Sequence, residues 1–98
     1  MKRTKNMYEN PTTESHELFL FCENEWKVYR QWESIKENLE RKIKKGIYDS
    51  NKAIDLFYYL ADNASKLYKS AFGGEFTVNE RFNCAIELRN EFETEMDI

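Results

Sequence analysis

Between Tyr48 and Phe72 the segment YDSNKAIDLFYYLADNASKLYKSAF holds the longest run of apolar residues at helical spacing in the chain. Ala53, Ile54, Leu56, Phe57, Leu60, Ala61, Ala64, Leu67, Tyr68, Ala71 and Phe72 form two overlapping i, i+3, i+4, i+7 series. A stripe that wide needs cover on more than one side, so the segment predicts a central helix packed between others.

The flanking sequence supplies the cover. From Trp26 to Lys45, Val28, Trp32, Ile35, Leu39 and Ile43 step by four, three, four and four along one helical face, widened by Trp26 and Tyr29. Lys44-Lys45-Gly46 predicts its end, because cations complement the negative helix terminus and Gly accepts the left-handed position beyond it. Asp49 is placed to cap the central helix and Gly73-Gly74 to end it. Thr77-Val78-Asn79-Glu80 has the capping-box form before a last helix over about 78–95, with Val78, Phe82, Ala85, Ile86, Leu88, Phe92 and Met96 as its apolar residues.

Upstream, Asn10-Pro11 suits a helix start, and Thr12 to Cys22 predicts a short helix with Leu18, Phe19, Phe21 and Cys22 inward. A break is expected at Glu23-Asn24-Glu25 with Asn24 as the new cap; the alternative is one continuous helix from about 13 to 45. Residues 1–10 read as a flexible basic arm, and 11–96 as a single helical domain. The expected fold class is all-α, a small bundle of three main helices plus a short N-terminal helix. Three Gly and one Pro in 98 residues, with 34% charged, fit helices and disfavour a sandwich or barrel.

A resemblance rests on Lys45-Gly46-Ile47-Tyr48-Asp49, Lys52-Ala53, Leu56-Phe57, Tyr59-Leu60, Tyr68 and Phe72-Gly73. Arg81, Ala85 and Glu87-Leu88 continue it, and Glu23-Asn24 with Tyr29-Arg30-Gln31 precede it. Over roughly residues 16 to 93 the chain resembles small uncharacterised proteins of bacteriophages and mobile elements that share a "KGxYDxxKAxxLFxYL" core. The resemblance implies a phage or mobile-element origin and brings no catalytic residue with it.

The residues themselves point away from catalysis, and no enzyme activity is expected. His16 is the only histidine, Cys22 and Cys84 lie far apart in sequence, and no zinc-ligand spacing occurs. The two cysteines sit among apolar residues and read as buried, reduced thiols, with a disulfide between them the less favoured alternative. Gly73-Gly74 lacks the spacing of a phosphate-cradling loop. Asp55 and Asp62 share one side of the central helix and read as its solvated flank rather than a catalytic pair. No cofactor or metal is expected. The charged start MKRTKN, followed by polar residues, does not read as a signal peptide, and no apolar run approaches the length of a membrane span. The expected location is the cytoplasm, with no membrane partner.

Binding is the remaining class. Aromatics make up 15% of the chain, and Trp26, Tyr29, Trp32, Phe57, Tyr58, Tyr59, Tyr68 and Phe72 exceed what so small an interior is expected to hold. Trp26, Tyr29, Trp32, Tyr58 and Tyr59 are the candidate contacts for a protein partner, first of all a second copy of the chain in a homodimer. The favoured reading is a non-enzymatic interaction or accessory module that self-associates. A rival uses the basic run Lys36, Arg41, Lys42, Lys44 and Lys45 as phosphate contacts for nucleic acid. The net charge of −3 and the intervening Glu37 and Glu40 weigh against it. A third reading takes the acids of the last helix, Glu87 to Asp97, as those of an inhibitor of a nucleic-acid-binding host protein.

Overall fold

The structure, a computed structural model, describes residues 13–98. The basic arm expected over 1–10 and the Asn10-Pro11 start lie outside the described residues. Four helices follow in order, α1 (Thr13–Asn24), α2 (Trp26–Lys45), α3 (Ser50–Phe72) and α4 (Val78–Met96), with no strand among the described residues. The chain is all-α.

Local chemistry sets the helix boundaries. The α1–α2 break is real, but Glu25 caps α2, not Asn24. Glu25 is extended (φ −86°, ψ 116°) and its carboxylate accepts the Lys27 amide at 2.8 Å, while the Asn24 side-chain amide donates to the Leu20 carbonyl and closes α1. The longer Glu side chain reaches the second amide of α2 from one position further on. Glu25 also keeps both helical ladders. Its N–H donates to Phe21 O and its carbonyl accepts from Tyr29 N, each at 2.8 Å.

At the other end of α2, Gly46 takes φ 75°, Gly46 N donates to Ile43 O and Ile47 N to Lys42 O. That pair of bonds is a Schellman closure, and the left-handed position is the reason for Gly. Asp49 caps α3 through the amides of Asn51 and Lys52. The Thr77–Glu80 capping box forms in both directions, at 3.1 Å and 2.8 Å.

The core lies where α3 packs most extensively on α4, with α1 against both. Phe57, Leu60, Ala61 and Ala64 of α3 meet Cys84, Ala85, Leu88 and Phe92 of α4, and Leu18, Phe19 and Cys22 enter from α1. Val28, Trp32 and Leu39 bring α2 against α1 and α3; α2 has little contact with α4. Two residues expected inside are not there. Val78 is 62% exposed and Phe82 is exposed as well. Their place beside Tyr68 is taken by Phe76, from the α3–α4 loop, with ring centroids 5.0 Å apart. Cys22 and Cys84 are both fully buried and unbridged. The neighbouring Cys22 thiol first, and burial second, push the Cys84 thiol well above its ordinary value.

The α2–α3 corner is tied to α4 by a carboxylate. Tyr48 Oη and Ser50 Oγ both donate to Glu93 Oε2, at 2.8 and 2.5 Å, and the Tyr48 ring lies 5.9 Å from that of Phe92. Burial and then the Glu93 hydrogen bond raise the Tyr48 phenol pKa. An unfolded tyrosine ionises near pH 10, so the folded state holds the phenolic proton more tightly. The resulting stability is therefore full below about pH 10 and is lost progressively as pH rises beyond it. Thermal melts between pH 8 and 12 should show this fall, and Tyr48→Phe should flatten it while costing about 1 kcal/mol at neutral pH for the lost hydrogen bond. An alkaline fall of the same steepness in Tyr48→Phe would mean that other groups cause it.

Candidate functional site

α2 follows from a helical stripe that is apolar on one side only. At about 100° per residue, Val28, Trp32, Ile35, Leu39 and Ile43 point one way and leave the opposite side to solvent. An arc of about 120° that starts directly opposite this stripe and turns toward one edge of the helix contains eight residues, by the same geometry. Five of them are cations: Lys27, Arg30, Arg41, Lys42 and Lys45. The other three, Gln31, Ser34 and Asn38, are neutral and polar. All eight are exposed, and no acid falls within the arc. Glu33, Glu37 and Glu40 lie to one side of it, and Glu37, also exposed, lies about opposite the apolar stripe, next to Arg30 and Arg41.

Among the described residues none of the five cations makes an ion pair. Of the other cations, Lys36, Lys66, Lys69 and Arg81 make ion pairs, while Lys44, Lys52 and Arg89 make none among the described residues. Arg81 pairs with Asp62 at 3.4 Å and Lys66 with the same carboxylate at 3.5 Å. At the N-terminal end of the arc, Trp26 is 66% exposed and the Arg30 guanidinium lies 5.7 Å over its ring. Trp26, Lys27, Arg30, Gln31 and Ser34 line a shallow open depression there.

The expected phosphate contacts divide. Arg41, Lys42 and Lys45 lie on the arc. Lys44 falls on the acidic flank. Lys36 is turned away from the arc, held by Glu33 at 3.2 Å and Glu95 at 3.4 Å and seated 4.6 Å over the Trp32 ring. Burial works against the Lys36 charge, but the hydrogen bond to Glu33 and the two carboxylates outweigh it and raise its pKa. Glu33 is lowered in turn, by Lys36 first and by Tyr29 second. Lys36 is thus a structural cation. Lys27 and Arg30 join the arc although they lie outside the basic run 36–45, because the spacing 27, 30, 34, 38, 41, 45 carries the face.

The expected aromatic contacts do not form one patch. Trp32 is 2% exposed and is a core residue, a correction that follows from its place on the face of Val28 and Leu39, against Phe19 at 5.9 Å. Tyr29 is at the edge of the surface, 6.2 Å from Trp32. Tyr58 is half-buried and takes Arg81 on its hydroxyl at 3.3 Å. Trp26 and Tyr59 (63%) are exposed on different helices. Of the eight aromatics expected to exceed the interior, Trp26, Tyr29, Tyr59 and Phe72 do stay at the surface, while Trp32 and Phe57 are buried and Tyr58 and Tyr68 half-buried.

The acids of α4 are mostly occupied. Glu87 meets His16 at 2.7 Å, Glu93 holds Tyr48 and Ser50, and Glu95 holds Lys36. Asp62 is held by Arg81 and Lys66. Among the described residues no three His, Cys, Asp or Glu side chains gather as metal ligands would, and no helix is long and apolar enough to cross a membrane. Comparison with family models, with curated proteins and with solved structures returns no match.

Proposed function

We propose that this chain is a non-enzymatic binding module whose working surface is the outward face of α2 and whose partner is acidic. The observation that carries the reading is the acid-free arc of five exposed cations that make no ion pair among the described residues. Unpaired like charges on one rigid helix repel each other, and an acidic partner relieves that repulsion. A second copy presenting the same arc does not. The setting implied by the resemblance, a phage or mobile element, is compatible with an accessory role of this kind.

The test is binding to a panel of acidic polymers (double-stranded DNA, poly-glutamate, heparin) at 50 mM salt, with wild type and an Arg30→Glu, Arg41→Glu, Lys45→Glu variant. The wild type should bind at least one polymer, and the variant should lose at least tenfold in affinity. No binding to any of them would overturn the reading.

Self-association remains as a second reading because Trp26 and Tyr59 stay exposed. Light scattering on a sizing column at low and high salt decides it. A dimer at both salts that Trp26→Ala or Tyr59→Ala abolishes would support it, and a monomer throughout would exclude it.

A further inference from the structure

We propose that the acidic partner is duplex DNA, with α2 laid in the major groove and its cationic arc toward the bases. The inference rests on the reading of α2 as the working surface. From Lys27 to Lys45 the helix runs for about 27 Å, and with its side chains it is about 10–12 Å across. The major groove of B-form DNA is about 12 Å wide and admits one α-helix.

The order of side chains along the arc matches what such a groove offers. Lys27 and Arg30 stand at one end, and Arg41, Lys42 and Lys45 at the other. Arg30 and Arg41 are about 16 Å apart along the axis, so the two groups of cations can reach phosphates on opposite sides of the groove. Between them the arc carries only Gln31, Ser34 and Asn38. Amide and hydroxyl side chains both donate and accept hydrogen bonds, which is what base edges in the major groove require. Trp26, stacked on Arg30, limits the orientations open to that guanidinium at the rim.

The overall charge of −3 does not oppose this. Of the acids of α4, Glu87, Glu93 and Glu95 are held by His16, by Tyr48 and Ser50, and by Lys36, and α4 has little contact with α2. The described fold extends 41 × 32 × 20 Å, while salt at 0.1 M screens exposed charges over about 10 Å. A DNA duplex on α2 therefore meets chiefly the charges of α2, where seven cations stand against Glu33, Glu37 and Glu40. Duplex RNA differs, because its A-form major groove is deep, narrow and closed to a helix.

The experiment is fluorescence anisotropy of a labelled 20-base-pair DNA duplex from 50 to 200 mM salt, with an RNA duplex of the same sequence and poly-glutamate as the other arms. With five phosphate contacts the logarithm of affinity should fall against that of salt with a slope of about −4 to −5, a loss of roughly 500-fold across the range. Arg30→Ala with Arg41→Ala should make the slope shallower by about two. Gln31→Ala with Asn38→Ala should weaken DNA binding and leave the slope unchanged. Lys66→Ala, on the outward side of α3, should change nothing.

Binding of the RNA duplex as tight as that of DNA would overturn groove docking. Failure to bind DNA, with poly-glutamate bound and released by the arginine variant, would overturn the inference and leave the acidic-partner reading standing. Failure to bind DNA, poly-glutamate or heparin would overturn both.

Discussion

Trp32→Ala should destabilise the fold by about 3–5 kcal/mol, the range for removing a large buried aromatic. A domain of this size has roughly 5–15 kcal/mol in total, so the variant should be close to unfolded at physiological temperature. Trp32 is 2% exposed and joins α2 to α1 through Phe19 and to Tyr29 and Lys36 on its own helix. Truncation would open a cavity between α1 and α2 and leave the Lys36 ammonium without its ring. Among the described residues the indole Nε1 meets no acceptor. Trp32→Phe should therefore recover a large part of the loss, since it keeps ring volume and removes an unmet donor. Trp26→Ala is the control, with an expected change within about 0.5 kcal/mol. Urea melts followed by circular dichroism would measure all three. Near-equal stabilities for Trp26→Ala and Trp32→Ala would contradict the packing of α2.

Phe92→Ala should cost a similar amount, about 3–5 kcal/mol, from the other side of the molecule. Phe92 is fully buried in the seam between α3 and α4, with Phe57 at 6.2 Å and Tyr48 at 5.9 Å. Its loss would remove the floor under Tyr48 and loosen the Glu93 hydrogen bonds that fix the start of α3. The Tyr48 contribution to alkaline sensitivity should then fall together with stability, which a core cavity elsewhere would not produce. A cost below about 1 kcal/mol would be too small for a large-to-small change at the centre of the core.

The features legible in the sequence are the local ones. The Asp49 cap, the Gly46 stop and the Thr77–Glu80 box are set within four residues, so spacing alone identifies them. The α2 face was legible too, because Val28, Trp32 and Leu39 keep strict helical period over three turns. What escaped depends on distant chain. Phe76 has no helical neighbours to mark it, yet it fills the gap beside Tyr68 and leaves Val78 and Phe82 to solvent. Trp32 was assigned to a partner by counting aromatics against the size of the interior. The count holds for Trp26, Tyr29, Tyr59 and Phe72, which stay exposed, but a count does not say which rings go inside, and Trp32 does, edge to face with Phe19. The cation arc was hidden because charge was tallied along the chain, while a helix sorts charge by angle.

Glu25 joins α1 to α2 with no loop, and its backbone serves the ladders of both. No slack exists there to absorb a change in chain length. The number of residues between Cys22 in the core and Trp32 in the core therefore sets the rotational phase of α2. One inserted residue would turn the helix by about 100°, carrying Trp32 toward water and rotating the five cations off the outward side. A joint that maintains continuous hydrogen bonding thus works as an indexing pin, fixing which side of the second helix the molecule shows to its surroundings.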